Sequence, residues 1–128
     1  MSDDAGESWN DERRAMPRYP SRGKVRVFRE TDAMRSGLSG RLNDVSVSGI
    51  GFCINAELDV GELIRIELSN EMQRFSKEVR GIVRHVTPLV EGEYYTGVEL
   101  RLRLTPPEVE LLRSHRPADP GTDKPQWV

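Results

Sequence analysis

The stretch Tyr94-Tyr95-Thr96-Gly97-Val98-Glu99-Leu100-Arg101-Leu102-Arg103-Leu104 alternates in side-chain type with a period of two. Thr96, Val98, Leu100, Leu102 and Leu104 fall on one side, and Gly97, Glu99, Arg101 and Arg103 on the other. Successive side chains of an extended chain point to opposite faces, so this stretch predicts a strand with one dry face and one wet face. The same period recurs upstream. Phe75, Lys77, Val79, Gly81 and Val83 form a longer strand with one polar interruption. Ile64, Ile66 and Leu68 stand opposite Arg65 and Glu67, and Ile50, Phe52 and Ile54 repeat in the same way. Leu38, Gly40 and Leu42 share a face, as do Val25 and Val27. Short alternating segments divided by turn signals predict an all-β core closed as a small barrel.

Downstream, Thr105-Pro106-Pro107-Glu108 reads as a helix start. Thr105 can cap, proline suits the first helical position, and Glu108 stands where a capping box needs it. Val109 and Leu112, with Leu111 beside them, would face the barrel, and Pro117 would stop the helix. Residues 1–11 are rich in Asp, Glu, Ser and Gly and predict a disordered N-terminal arm. Residues 117–128 carry three prolines and predict a flexible C-terminal tail. The domain itself is expected over residues 12–116.

A chain of 128 residues supports one domain and one core. Its formal net charge of −2 argues against a broad basic surface for a nucleic acid polymer. No apolar run approaches the roughly eighteen residues that a membrane span needs, so no membrane insertion is expected. The acidic start does not read as a signal peptide, and the one cysteine, Cys53, suits a reducing cytoplasm. Cys53 alternates with Phe52 and Ile54 and has no CxxC partner, so it reads as structural. His85 and His115 lie at no metal-ligand spacing. The chain shows no P-loop and no supported Ser-His-Asp set, so no catalysis, cofactor or metal is expected.

Two short motifs stand apart from this framework. Arg13-Arg14-Ala15-Met16-Pro17-Arg18 is a basic lead-in before the first strand. Asp44-Val45-Ser46-Val47-Ser48-Gly49 joins two strands. The plain readings are a solubilising basic segment and ordinary turn chemistry, since Asp and Ser bond nearby backbone amides. The chemical reading is a receptor for a guanine nucleotide. Guanidinium forks bind phosphate or the O6/N7 edge of guanine, and a carboxylate can accept from guanine N1–H and N2–H₂. The Ser46 hydroxyl can serve both readings. Gly49 reads as structural, its missing side chain allowing positive φ or close ligand approach.

These residues resemble the PilZ domain, a bacterial receptor for cyclic di-GMP, whose pattern is Arg-x-x-x-Arg followed by Asp/Asn-x-Ser-x-x-Gly. Arg14 and Arg18 supply the first half, and Asp44, Ser46 and Gly49 the second. Arg18 with Arg22, or Arg22 with Arg26, also fits the first half. Arg14 and Arg18 are preferred because Pro20 follows at the family's spacing and Arg26 lies inside a strand. The resemblance implies a six-stranded antiparallel barrel with a C-terminal helix. It also implies that Arg13, just before the pair, goes with two intercalated ligand molecules rather than one. Two departures stand out: His85 replaces a common Trp, and Leu100 replaces the Phe of a Gly-x-x-Phe segment. Arg80 and Arg84 share a face with Ile82 and read as solvated charges. The expected function is that of a cytoplasmic cyclic di-GMP receptor whose output is made by an unidentified downstream protein. The alternative is a nucleotide-free adaptor in pilus or motility assembly.

Overall fold

The computed structural model describes residues 17–31 and 36–114. The expected arm and tail, with Arg13, Arg14 and His115, lie outside the described residues. The strands are β1 (Tyr19–Pro20), β2 (Lys24–Arg29), β3 (Leu38–Val45), β4 (Gly49–Ile54), β5 (Leu63–Asn70), β6 (Phe75–Pro88) and β7 (Tyr94–Leu100), followed by helix α1 (Pro106–Leu112). Neighbours run antiparallel in the order β3-β2-β5-β6-β7-β4, and β4 pairs again with β3. Six strands therefore close a barrel, as the alternation and the resemblance both led one to expect. β1 lies outside it, paired with β3 through Tyr19 with Val45 and Pro20 with Asp44.

The alternating apolar faces meet inside. Phe52, Leu42, Ile50, Ile54, Ile66, Leu68, Val27, Val83 and Val98 are almost fully buried. Burying a side chain of this size is worth about 1.5–3 kcal/mol relative to leaving it exposed. Val109 and Leu112 of α1 join the same core. The helix begins as the capping box requires: the Glu108 amide donates to Thr105 Oγ1 at 3.3 Å, and the Thr105 amide donates to Glu108 Oε1 at 2.9 Å.

The structure corrects three expectations. First, the helix ends at Leu112, well before Pro117. Ser21 Oγ donates to the Leu112 carbonyl, and the Ser114 amide donates to Pro20 O at 2.7 Å. Those tertiary bonds draw residues 113 and 114 into extended backbone, so the helix stops there. Second, the last strand ends at Leu100 rather than running to Leu104. The Arg101 amide makes a final bond to Arg80 O at 2.9 Å. The chain then swings away until the Leu104 amide reaches Val47 O at 2.8 Å. Leu102 is left 84% exposed instead of buried, whereas Leu104 is buried. Third, β4 does not alternate, because all six of its residues are buried.

Candidate functional site

The exception in β4 locates the site. Ile50, Phe52 and Ile54 fill the core, which leaves Gly49, Gly51 and Cys53 on the outer wall. Outer-wall residues normally meet water. Here other side chains lie across them, and the glycines make the room.

Two β-bulges aim those side chains. In β3 the register jumps between Leu42, opposite Phe52, and Asp44, opposite Gly51. The extra residue, Asn43, shifts the parity so that Asp44 points outward while Val45 returns to the core. In β6 the register jumps between Val83, opposite Val98, and His85, opposite Gly97. Arg84 is the extra residue there, and His85 comes onto the outer wall. The ladder then sets Asp44, Gly51, Gly97 and His85 in one row across four strands. The row is a trough: two glycines form its floor, and an acid and an imidazole form its rims.

Tyr95 lies along this floor. A Cβ on Gly51 would collide with the Tyr95 hydroxyl and stand 2.9 Å from Asp44 Oδ1. A Cβ on Gly97 would collide with the His85 ring. The Tyr95 and His85 rings stack at 5.6 Å between centroids, with 27° between their planes. Glycine is required at both positions by close approach, not by positive φ.

Arg18 completes the cluster. Residues 19–21 are pinned between β3 and the end of α1, with the Ser21 amide donating to Asn43 O at 3.1 Å. That anchoring brings the residue just before β1 over the Asp44 carboxylate. Arg18 Nη1 donates to Asp44 Oδ1 at 2.8 Å, and the Tyr95 hydroxyl donates to Asp44 Oδ2, also at 2.8 Å. Asn43 Nδ2 adds a third bond to Oδ2 at 3.0 Å. Burial, then the bond to the Asp44 carboxylate, pushes the Tyr95 phenol above its ordinary value of 10.0. The neutral phenol is therefore the form that the cluster holds.

Arg18 Nε is buried and has no hydrogen-bond partner among the described residues. A buried donor left unpaired costs about 1–3 kcal/mol. The guanidinium therefore has capacity for another acceptor.

Ser46 and Gly49 play different parts. The Ser46 hydroxyl accepts from the Gly49 and Ser48 amides at 3.1 and 3.3 Å and donates to Gly49 O at 3.2 Å. Its one proton and both lone pairs are thus engaged in the turn. Gly49 has ordinary φ, so the positive-φ reading does not hold, and the close approach that the structure shows is by the protein's own atoms. A Cβ there would come within 2.8 Å of Val98 O and 4.0 Å of Arg18 Nη2. Both residues hold the turn that seats Asp44 beside Arg18.

The cluster thus brings together Arg18, Asp44, Ser46 and Gly49 from the motifs. It adds Tyr95 and Gly51, which the sequence reading passed over, and Gly97, which it read only as the glycine of a Gly-x-x-Phe segment, and gives His85 a position. Glycine inside two alternating strands was the available signal, since an interior strand glycine marks close approach. Arg22 is directed elsewhere, with its Nε 3.3 Å from Ser114 Oγ. Arg84 is paired with Glu99 at 2.6 Å. Cys53 lies in the next row, between Arg41 and Tyr95. Burial pushes its thiol up against the opposing pull of Arg41, which disfavours a reactive thiolate. Among the described residues no group of His, Cys, Asp and Glu is placed to hold a metal ion, and no helix is long and apolar enough to cross a membrane. A concavity of about 800 Å³ between Lys24, Arg26, Glu67, Ser69 and Glu78 lies on the β2–β5–β6 wall and contains none of the motif residues.

Comparison with known proteins agrees with this architecture. The inhibitor of motility MotI/DgrA from Bacillus subtilis superposes with a TM-score of 0.58 at 15% identity. The match covers 78% of this chain and 48% of that one, so the chain spans about half of MotI. The PilZ domain of YcgR from Escherichia coli, solved with c-di-GMP, gives a TM-score of 0.53 at 19% identity. That match covers 77% of this chain and 83% of the YcgR domain. At such identities the likeness is one of fold. No curated protein matches the sequence. The family model of the PilZ domain matches residues 12–115, and the chain belongs to the PilZ domain family.

Proposed function

We propose that this protein is a receptor for cyclic di-GMP, not an enzyme. It would bind the nucleotide at the Arg18–Asp44–Tyr95 cluster and pass the signal to a partner protein in the cytoplasm. The observation that carries the reading is the arginine itself. Arg18 lies over a glycine-floored trough, with one end of its guanidinium on Asp44 and Nε buried and unpaired. A phosphate or the guanine O6/N7 edge supplies the acceptor that Nε lacks. Once Arg18 turns to the ligand, Asp44 Oδ1 is released to accept from guanine N1–H or N2–H₂, while Tyr95 and Asn43 still hold Oδ2. Arg14 contributes a second guanidinium, and Ser46 and Gly49 shape the turn. Arg13 contributes charge for a second, intercalated ligand molecule, because two stacked dinucleotides bring four phosphates together. The YcgR domain with c-di-GMP, a protein of the same fold, supports the choice of ligand.

A second reading also has an observation in its favour. The Asp44 carboxylate already accepts three protein bonds, and the Ser46 hydroxyl is fully engaged. Here the motif is purely structural, and the domain is a nucleotide-free adaptor for pilus or motility assembly.

Calorimetric titration with cyclic di-GMP separates the two. The receptor reading expects saturable heat, chemical-shift changes at residues 13–18 and 44–49, and two ligands per chain. No heat and no shifts at saturating nucleotide would leave the adaptor. One ligand per chain, or an Arg13→Leu variant that still takes two, would remove the assigned role of Arg13 and keep the receptor.

A further inference from the structure

We infer that the outer edge of β6 from Ser76 to Arg80 is a docking edge for an extended, acidic segment of a partner protein, which adds to the barrel as a further strand. This surface is separate from the glycine trough and does not depend on the ligand proposed for it.

The barrel closes unevenly. β6 runs from Phe75 to Pro88, but β7 pairs with it only from Gly81 onward. From Phe75 to Arg80 the strand has β5 on one side and, among the described residues, no strand on the other. The direction of its backbone groups follows from two bonded positions. Val83 N donates to Glu62 O at 2.9 Å and Val83 O accepts from Gly61 N at 2.7 Å, so odd-numbered residues here face the β5 side. Arg80 O accepts from the Arg101 amide, so even-numbered residues face the β7 side. The N–H and C=O groups of Ser76 and Glu78 therefore point where β7 has already ended. An uncovered row of this kind is a template for another strand.

The surroundings select the occupant. A groove of about 540 Å³ follows this edge, lined by Lys77, Glu78, Val79, Arg80, Arg101 and Leu102. Leu102, exposed because the chain turns away after Leu100, supplies an apolar wall. Neither Arg80 nor Arg101 has an ion pair among the described residues. The other charges are engaged: the Lys77 amine lies 2.7 Å from Glu108, and Glu78 lies 3.6 Å from Arg65. Two unpaired cations beside an apolar wall and an open ladder fit a strand with carboxylates and one apolar side chain. A second copy of this chain fits less well. Antiparallel self-pairing centred on Glu78 sets Glu78 against Glu78, and like charges directly opposite destabilise a sheet.

The test uses the whole chain. In the free protein the Ser76 and Glu78 amides should exchange with solvent much faster than those of Lys77 and Val79, which face β5. The probe is a blocked peptide of alternating valine and threonine carrying two aspartates. It should slow exchange at Glu78 and shift the Arg80 and Leu102 signals, and a lysine version of the peptide should bind more weakly. Arg80→Glu with Arg101→Glu should weaken binding by about tenfold or more. Glu78→Pro should abolish it with the fold retained, since proline there removes a donor that the β5 ladder does not use. Four results would overturn the proposal: a Glu78 amide as protected as Val79 in the free monomer; no binding at millimolar peptide; binding indifferent to charge reversal; or Glu78 protection that rises with protein concentration alone, which would make a second copy the occupant.

Discussion

β4 and β5 are both barrel strands with isoleucine-rich inner faces, yet their outer faces have opposite fates. On β5 the outer Leu63 and Glu67 are exposed and Arg65 is partly so, over the Phe28 ring. On β4 the outer Gly49, Gly51 and Cys53 are all buried. Large or charged outward residues hold neighbours off and keep a wall wet. Small ones let Arg18, Tyr95 and Asp44 lie against the wall and form a part-buried polar cluster. Bulges in β3 and β6 then supply side chains that a regular pleat would have turned away. In this barrel a patch of small residues on the outer wall, not a concavity, underlies the candidate site.

The largest effect expected from this contrast is on ligand binding. Arg18→Ala should weaken cyclic di-GMP binding by about 2–4 kcal/mol while costing only about 1 kcal/mol of stability for the lost bond to Asp44, read by calorimetry on both proteins. Undiminished affinity in a folded variant would move the binding role to Arg22 or Arg26. Next, Gly51→Val should cost about 1–3 kcal/mol of stability through overpacking against Tyr95 and Asp44, and should abolish the site. A small enlargement on the outer face of β5, Ser69→Thr, should stay within about 0.5 kcal/mol. Equal effects in denaturant titrations would break the comparison.

Tyr95→Phe should cost about 1 kcal/mol near neutral pH, for the lost bond to Asp44. Its pH dependence sharpens the point. The phenol is raised above 10.0 in the folded protein, so its stabilising contribution is present below pH 10 and is lost as pH rises through the folded value. The variant should therefore lose less stability than wild type above pH 10, with Cys53 contributing equally to both. The smallest effect lies away from the trough. Arg29 holds Glu62 through bonds at 2.6 and 2.9 Å. Burial pushes that carboxyl up, but the bonds from Arg29 and the Asp59 amide outweigh it and leave it below the ordinary 4.5. That contribution is present above pH 4.5 and is lost as pH falls through the folded value. Glu62→Gln should flatten the acid limb of a thermal-melt series with no change in ligand binding.

Much of this molecule was legible in its sequence. The period-two pattern gave the inner faces of the barrel strands correctly up to the bulges at Asn43 and Arg84 and up to Leu100. The capping box at Thr105 and Glu108 was equally readable, because both depend on residues close together in the chain. The motif spacing led to Arg18, Asp44, Ser46 and Gly49, which the fold gathers in one place. Tyr95 was missed because nothing local separates it from any other strand tyrosine. Its role comes from Gly51, with the whole of β5 and β6 between them in the chain, and from a bulge at Asn43 that moves Asp44 outward. Leu102 was misread for a similar reason: alternation continues in the sequence after the hydrogen-bonded ladder has stopped.

The sequence by itself determined the six barrel strands, most of their inner faces and the helix start, because these follow from periodicity and short-range bonding, and it carried the spacing of the PilZ motif. Only the tertiary structure decided which outer wall is covered, where β7 and α1 end, and that Arg18, Asp44 and Tyr95 share one set of hydrogen bonds. Those outcomes depend on register between distant strands, and a shift of one residue there turns a side chain from one face of the sheet to the other.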